Sequence, residues 1–307
     1  MSLRARLIER RLRGITAPLN PAWTVTRDEE RRIRVRWPRH YQWDAAGDWV
    51  DILKYGFRSR VTLVEVDDIP QPYKGTVVFE FDIDGGRRRV AIGYSDYLPI
   101  DESCADVSDL YFKMQYAAGG YGRENVIPGG YVPDGKRLYF QLPGLRKLRE
   151  SRDYTVDVAG RFSLDYAAEV RTAAVTRLRE QTSFSFEGGL TKVSYDEFLR
   201  EIARSKISID LPGLGPLCFR LINYLAIGTC VIAYPHDALL PVPLVDREHI
   251  VYCKPDMSDL VELCEYYLSH NEERERIARN ARAFFDANLH KDNLTAYYLR
   301  MCLDRLS

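Results

Sequence analysis

Residues 206–235, KISIDLPGLGPLCFRLINYLAIGTCVIAYP, decide the reading of this chain, because they run through strand, glycine loop, helix and second buried strand without interruption. Lys206 to Asp210 alternates apolar residues as a strand does, and Gly213 and Gly215 break regular structure on either side of Leu214. Pro216 suits a first helical turn, where its missing N–H costs nothing. Cys218, Leu221, Ile222, Leu225 and Ala226 form an apolar stripe over a helix expected from Leu217 to Ile227. Gly228 ends that helix by accepting a left-handed backbone, and Thr229 to Ala233 is a β-branched run of the kind buried in parallel sheets. A helix N-terminus beside a nearly bare loop offers unpaired N–H groups to an anion, and Arg220, one turn inside, adds a full positive charge. A diphosphate suits that arrangement. The same loop could also serve structure alone, since a doubly wound domain needs a glycine between strand and helix.

Outward from this stretch the texture divides near residue 145. After residue 152 the pattern alternates: strand 154–159, helix 166–180, strand 184–186, helix 195–205, the quoted unit, strand 250–253, then helices 256–269, 271–288 and 291–306. Alternation of this kind implies a parallel sheet covered on both faces, with ligands bound beyond the carboxyl ends of the strands. Gly160-Arg161, Glu187 to Lys192 and Leu211 to Gly215 are therefore expected to follow strands. Before residue 145 the chain is rich in tyrosine, tryptophan and short β-like runs at 23–25, 33–37, 61–66, 76–83, 88–94 and 110–116. Asp82 and Asp84 in FEFDIDGG have the spacing of a metal-binding DxD, but a DGG tripeptide reads better as a hairpin turn.

A chain of 307 residues with 46% hydrophobic residues can build two cores, expected as domains 1–145 and 146–307. Forty-four basic and forty-four acidic side chains cancel, which excludes a general field for nucleic acid. The first 37 residues are an exception, with ten arginines against four acids and a local charge of +6. There LRARLIERRLRGI sets Leu3, Leu7, Ile8, Leu12 and Ile15 on one side of a helix. Such a helix suits a peripheral contact with an anionic membrane or another polyanion, or packs its leucines on the body of the protein. No signal peptide or membrane span is legible, so a cytoplasmic location is expected, with or without membrane-peripheral contact. Six scattered cysteines read as reduced core residues, and the histidines show no metal-ligand spacing, so neither a metal nor a cofactor is expected.

The run from Ser205 to Pro235, followed by HIVYCKPDMSDLVELCEYYLSHNEERERIARNARAFF, resembles the donor-binding half of GT-B glycosyltransferases, group 1 and O-glucosyltransferase-like families in particular. The resemblance covers about residues 154–300. It rests on Arg220, Leu225, Ala226, Gly228, Thr229, Val231 and Ile232, on the DLVE helix start and on the NEERERIARNAR helix. It implies an α/β, GT-B-like fold of two Rossmann-like domains, the C-terminal one a doubly wound parallel sheet and the N-terminal one divergent and β-rich. It also implies transfer of a sugar from a nucleotide-sugar donor, a UDP sugar foremost, without a metal. Many retaining members carry a glutamate that grips the donor ribose where Asn223 stands here, and that departure leaves the stereochemical course open.

Within that resemblance the departing diphosphate needs positive potential aimed in advance, which points to Arg161 and Arg220. Gly160, Lys192, Gly213, Leu214, Gly215 and Asn223 are the donor-binding candidates. An inverting course also needs a base for the acceptor proton; Asp96 in GYSDYLP is the candidate, with Asp44 and Asp48 as rivals that could equally start helices or turns. Lys113, in an otherwise apolar strand, must pair or reach the cleft. A GT-B-like subunit without catalysis, serving as a nucleotide-binding or partner protein, is the alternative reading.

Overall fold

The computed structural model describes residues 3–133 and 135–307; the side chains of 3–6, and with them Leu3, Arg4 and Arg6 of the N-terminal segment, lie outside the described residues. Met1–Phe140, Ala238–Val242 and Asp286–Ser307 make one unit, and Gln141–Asp237 with Pro243–Phe285 make the other. The first break falls near the change of texture at residue 145. Residues 286–307, expected in the second domain with a last helix able to bridge back to the first, belong to the first unit, because Tyr297 and Tyr298 pack there: Tyr298 stacks on Phe112 at 3.9 Å and Trp23 meets Tyr297 edge-on at 4.9 Å.

The first unit runs through α1 (Leu3–Arg13), α2 (Arg27–Arg31), β1 (Ile33–Pro38), α3 (Gly47–Arg60), β2 (Thr62–Val66), β3 (Thr76–Ile83), β4 (Gly86–Gly93), α4 (Glu102–Asp106), β5 (Leu110–Lys113), β6 (Tyr116–Ala117) and β7 (Val126–Pro128). α5 (Arg137–Glu150) leads the chain into the second unit, while β12 (Ala238–Leu239) and α11 (Lys291–Leu306) return to the first. Its sheet has the order β2-β1-β3-β4-β5-β7, parallel at both ends and antiparallel about the β3–β4 hairpin. Asp84 and Gly85 turn that hairpin with φ of +53° and +89°, the left-handed pair a tight turn demands. Asp82 accepts from the Gly85 amide at 2.8 Å and Asp84 pairs with Arg32, so the DxD spacing builds a turn. Trp37, Phe57, Phe79, Phe81, Phe112 and Tyr298 are fully buried, and rings of this size contribute roughly 2–3 kcal/mol each. α3 lies in a half read as short strands; Val50, Leu53 and Phe57 recur at helical spacing and are all buried. The run at 23–25 is no strand, because Asn20 caps a 3-10 turn, Pro21–Trp23, there.

The second unit contains β8 (Val156–Arg161), α6 (Ala168–Glu180), β9 (Phe186–Gly189), α7 (Tyr195–Ala203), β10 (Ser205–Asp210), α8 (Phe219–Ile227), β11 (Cys230–Ala233), β13 (Val251–Tyr252), α9 (Leu260–Ser269) and α10 (Asn271–Phe284). All its strands are parallel, in the order β13-β11-β10-β8-β9. The order reverses between β8 and β10, the position beside which open parallel sheets of this class bind ligands. Gly228 caps α8 at φ +87°, the left-handed stop expected of it. Gly160 and Arg161 do not follow a strand: they are the last residues of β8, paired in register with Gly188 and Gly189 of β9. α8 also starts at Phe219 rather than Leu217, which lengthens the loop after β10. All six cysteines are buried and free.

Candidate functional site

Two buried guanidiniums meet at the reversal point of the parallel sheet. Arg220, 8% exposed, donates from Nη2 to the Leu211 carbonyl at 2.9 Å and lies 5.4 Å from the centre of the Phe162 ring. Arg171 on α6, 2% exposed, donates from Nε to the Pro212 carbonyl at 3.0 Å and from Nη1 to the Ser163 carbonyl at 2.5 Å. It therefore ties the segment after β8 to the loop after β10. Sequence reasoning missed Arg171; the available signal was a cation on the face of α6 that also buries Ala174, Val175 and Leu178. Burial, and then the nearby Arg220 charge, hold the Arg171 pKa below its usual range.

The loop itself is drawn tight. The Gly213 amide donates to the Gly215 carbonyl at 3.0 Å, and a Cβ on Gly213 would fall 2.7 Å from the Cys218 sulfur, so only glycine fits. Leu214 is exposed at the tip, while Gly215 is buried. Cys218 stands at the N-cap of α8, and its side chain makes no capping hydrogen bond there. Leading into the loop, Asp210 is 4% exposed at the end of β10, and its Oδ1 accepts no hydrogen bond among the described residues. Burial pushes this carboxyl up to about 7, against the pull of Arg220 and Arg171.

The other expected site residues of the second unit have different surroundings. Arg161 donates to Glu201 at 2.8 Å and to Glu187 at 2.8 Å, and its Nη1 reaches the Thr191 carbonyl at 3.3 Å. Gly160 is bare because a Cβ there would meet the Phe162 ring at 2.9 Å and Ile209 at 3.2 Å. Lys192 is exposed and pairs with Asp165 at 3.3 Å. Asn223 is fully buried; its Oδ1 accepts from the Tyr195 hydroxyl at 3.2 Å, and its Nδ2 has no hydrogen-bond partner among the described residues.

In the first unit the Tyr131 hydroxyl donates to Asp96 at 2.9 Å. Lys113, 1% exposed, donates to the carbonyls of Ser95 at 2.9 Å and Tyr97 at 2.6 Å, the two residues that flank Asp96. Burial lowers the Lys113 pKa to about 8, with the Asp96 charge opposing. Asp44 and Asp48 are exposed in the first turns of a 3-10 helix and of α3. On α1, Leu12 is buried but Leu7 is 59% exposed, so only part of that apolar stripe packs on the protein. Among the described residues no helix is long and apolar enough to cross a membrane.

Residues 144–299 match a family described as glycosyl transferase-like. No curated protein matches the sequence. Among solved structures, the chain is similar to the C-terminal domain of the group 1 glycosyl transferase LpcC from Francisella tularensis, at 14% identity and TM-score 0.33 over 46% of this chain and 90% of that one. It is similar to HepE from Anabaena in complex with UDP-glucose, at 14% identity and TM-score 0.42 over 66% of each chain. It is also similar to a glycosyltransferase from Rickettsia africae, at 11% identity and TM-score 0.41 over 70% and 68%. No residue role follows from likenesses this distant.

Proposed function

We propose that this chain, which belongs to the glycosyl transferase-like family, transfers a sugar from a nucleoside-diphosphate donor, a UDP sugar foremost, to an acceptor hydroxyl. The single observation that carries the reading is the meeting of Arg171 and Arg220 on the loop between β10 and α8, at the reversal point of the sheet. The diphosphate would lie against Gly213, Leu214 and Gly215 and the amides that open α8, with Arg220 supplying charge to the departing oxygen. In the transfer an acceptor oxygen bonds to the sugar carbon, the bond from that carbon to the diphosphate breaks, and the acceptor proton passes to a base, for which Asp96 is the proposed group. Asn223 would meet a donor hydroxyl through Nδ2, and Lys192 would flank the nucleotide. Gly160 serves by its bareness, which lets Phe162 fold back beneath Arg220. Arg161, expected at the diphosphate, is held by both Glu187 and Glu201 and is given no contact with it.

Thermal unfolding across UDP, GDP, ADP and dTDP sugars tests the proposal. A donor at 100 times its Kd should stabilise the fold by about 2.7 kcal/mol; a flat response to every one of them would overturn it. A non-catalytic nucleotide-binding or partner subunit is the second reading, favoured by the uncharged, fully buried Asn223 and by the two carboxylates on Arg161. Slow donor hydrolysis by the purified chain would exclude that reading, and tight donor binding without hydrolysis or transfer would favour it.

A further inference from the structure

We infer that Asp210 is a positioning residue of the diphosphate site, and that its carboxyl takes up a proton as the diphosphate binds, so that its own negative charge no longer opposes the ligand beside Arg171 and Arg220. The inference rests on the reading of the Leu211–Cys218 loop given above. Asp210 ends β10 at the strand reversal, immediately before that loop, and is buried with an Oδ1 that accepts no hydrogen bond among the described residues. A buried carboxylate oxygen without a donor is costly to keep ionised. The charged and titratable groups around it come from each flanking element: Arg171 from α6, Arg220 and Tyr224 from α8, and Tyr252 from β13, with Cys218 beside Arg171. Two cations at the site do not fully offset its burial, and the carboxyl is pushed up to about 7. Near neutrality it is therefore divided between acid and carboxylate. A diphosphate brings further negative charge to the same cluster, which disfavours the carboxylate, so ligand and proton bind together.

The test compares the full chain with Asp210→Asn, which fixes the uncharged form. UDP binding is measured by calorimetry at pH 6 and pH 8, in buffers of different ionisation heat. The natural protein should take up most of one proton at pH 8, and its Kd should weaken about tenfold from pH 6 to pH 8 relative to the Asn variant. Ionisation of UDP itself is common to both proteins and cancels. Without ligand, a folded carboxyl above its unfolded pKa costs stability as pH rises from about 4 to about 7, so the Asn variant should gain several degrees in Tm on the natural protein between pH 5 and pH 8. UDP binding with equal proton uptake in the two proteins would overturn this inference and leave the transferase reading standing. The absence of that ligand-free gain in Tm would overturn it equally. Failure of UDP and of every nucleotide sugar to bind would overturn both.

Discussion

Arg161 and Arg171 stand on consecutive elements of one parallel sheet unit, and their guanidiniums end in opposite electrical surroundings. Arg161 at the end of β8 donates to Glu187 and Glu201, two carboxylates that take up its charge. Arg171 on α6 donates from Nε and Nη1 to the carbonyls of Pro212 and Ser163, neutral acceptors that form no ion pair with it. Burial alone thus does not tell a structural arginine from one with charge to offer an anion; the chemistry of the acceptors does.

The strongest attempt to break that contrast is Arg220→Met, since Arg220 also donates to a carbonyl, that of Leu211. A charge-assisted contact of about 3 kcal/mol would be lost, so UDP affinity or donor hydrolysis should fall about 100-fold, read by calorimetry or by release of free sugar. Arg161→Met should do the reverse. Its nearer cost is stability, about 2 kcal/mol in urea unfolding, because Glu201 is left without its partner, while UDP affinity changes less than about threefold.

Lys113 carries the contrast into the first unit, where an ammonium is held by two carbonyls. Burial lowers its folded pKa to about 8, so between that value and the ordinary lysine range the unfolded chain binds more protons than the folded one. Stability relative to Lys113→Met should therefore rise with pH, by about 1.5 kcal/mol between pH 8 and pH 9.5. A flat difference across that window would show that Lys113 is better solvated than its burial implies. The smallest effect belongs to Lys192→Ala. An exposed pair with Asp165 contributes under about 0.5 kcal/mol, so any larger loss of stability would mean that exposed charges also matter to this fold.

Most of the second unit was legible because its elements announce themselves locally, although the strand expected at 184–186 lies at Phe186–Gly189 and so takes in Glu187, Gly188 and Gly189, which were expected to follow it. The β-branched run at Cys230–Ala233 is a buried strand, Gly228 takes the left-handed stop, and the helix at 195 begins where Ser194 caps it. The first unit was less so. Its central hairpin is local and was found, and the tyrosines of the last helix pointed back toward the first domain, but α3 hid behind aromatic residues that suit strands as well as helices. At the candidate site the loop was legible from its glycines and Arg220 from its charge, but Pro216 lies before the helix rather than in its first turn, and Arg220 is the second residue of α8 rather than one turn inside. What stayed hidden was pairing. Nothing in the spacing shows that Arg161 meets Glu201, or that Arg171 reaches across to Pro212, since both contacts join residues far apart in the chain.

The return of residues 286–307 to the first unit has a consequence for how the protein is made. Ribosomal synthesis proceeds from the N-terminus, so every segment of the second unit is available once Phe285 has emerged. The first unit must wait for the final helix, and until then Phe112 lacks the ring of Tyr298 that stacks on it. The half of the chain translated first is thus the last to close, and its nascent form exposes an aromatic surface for as long as the remainder takes to elongate.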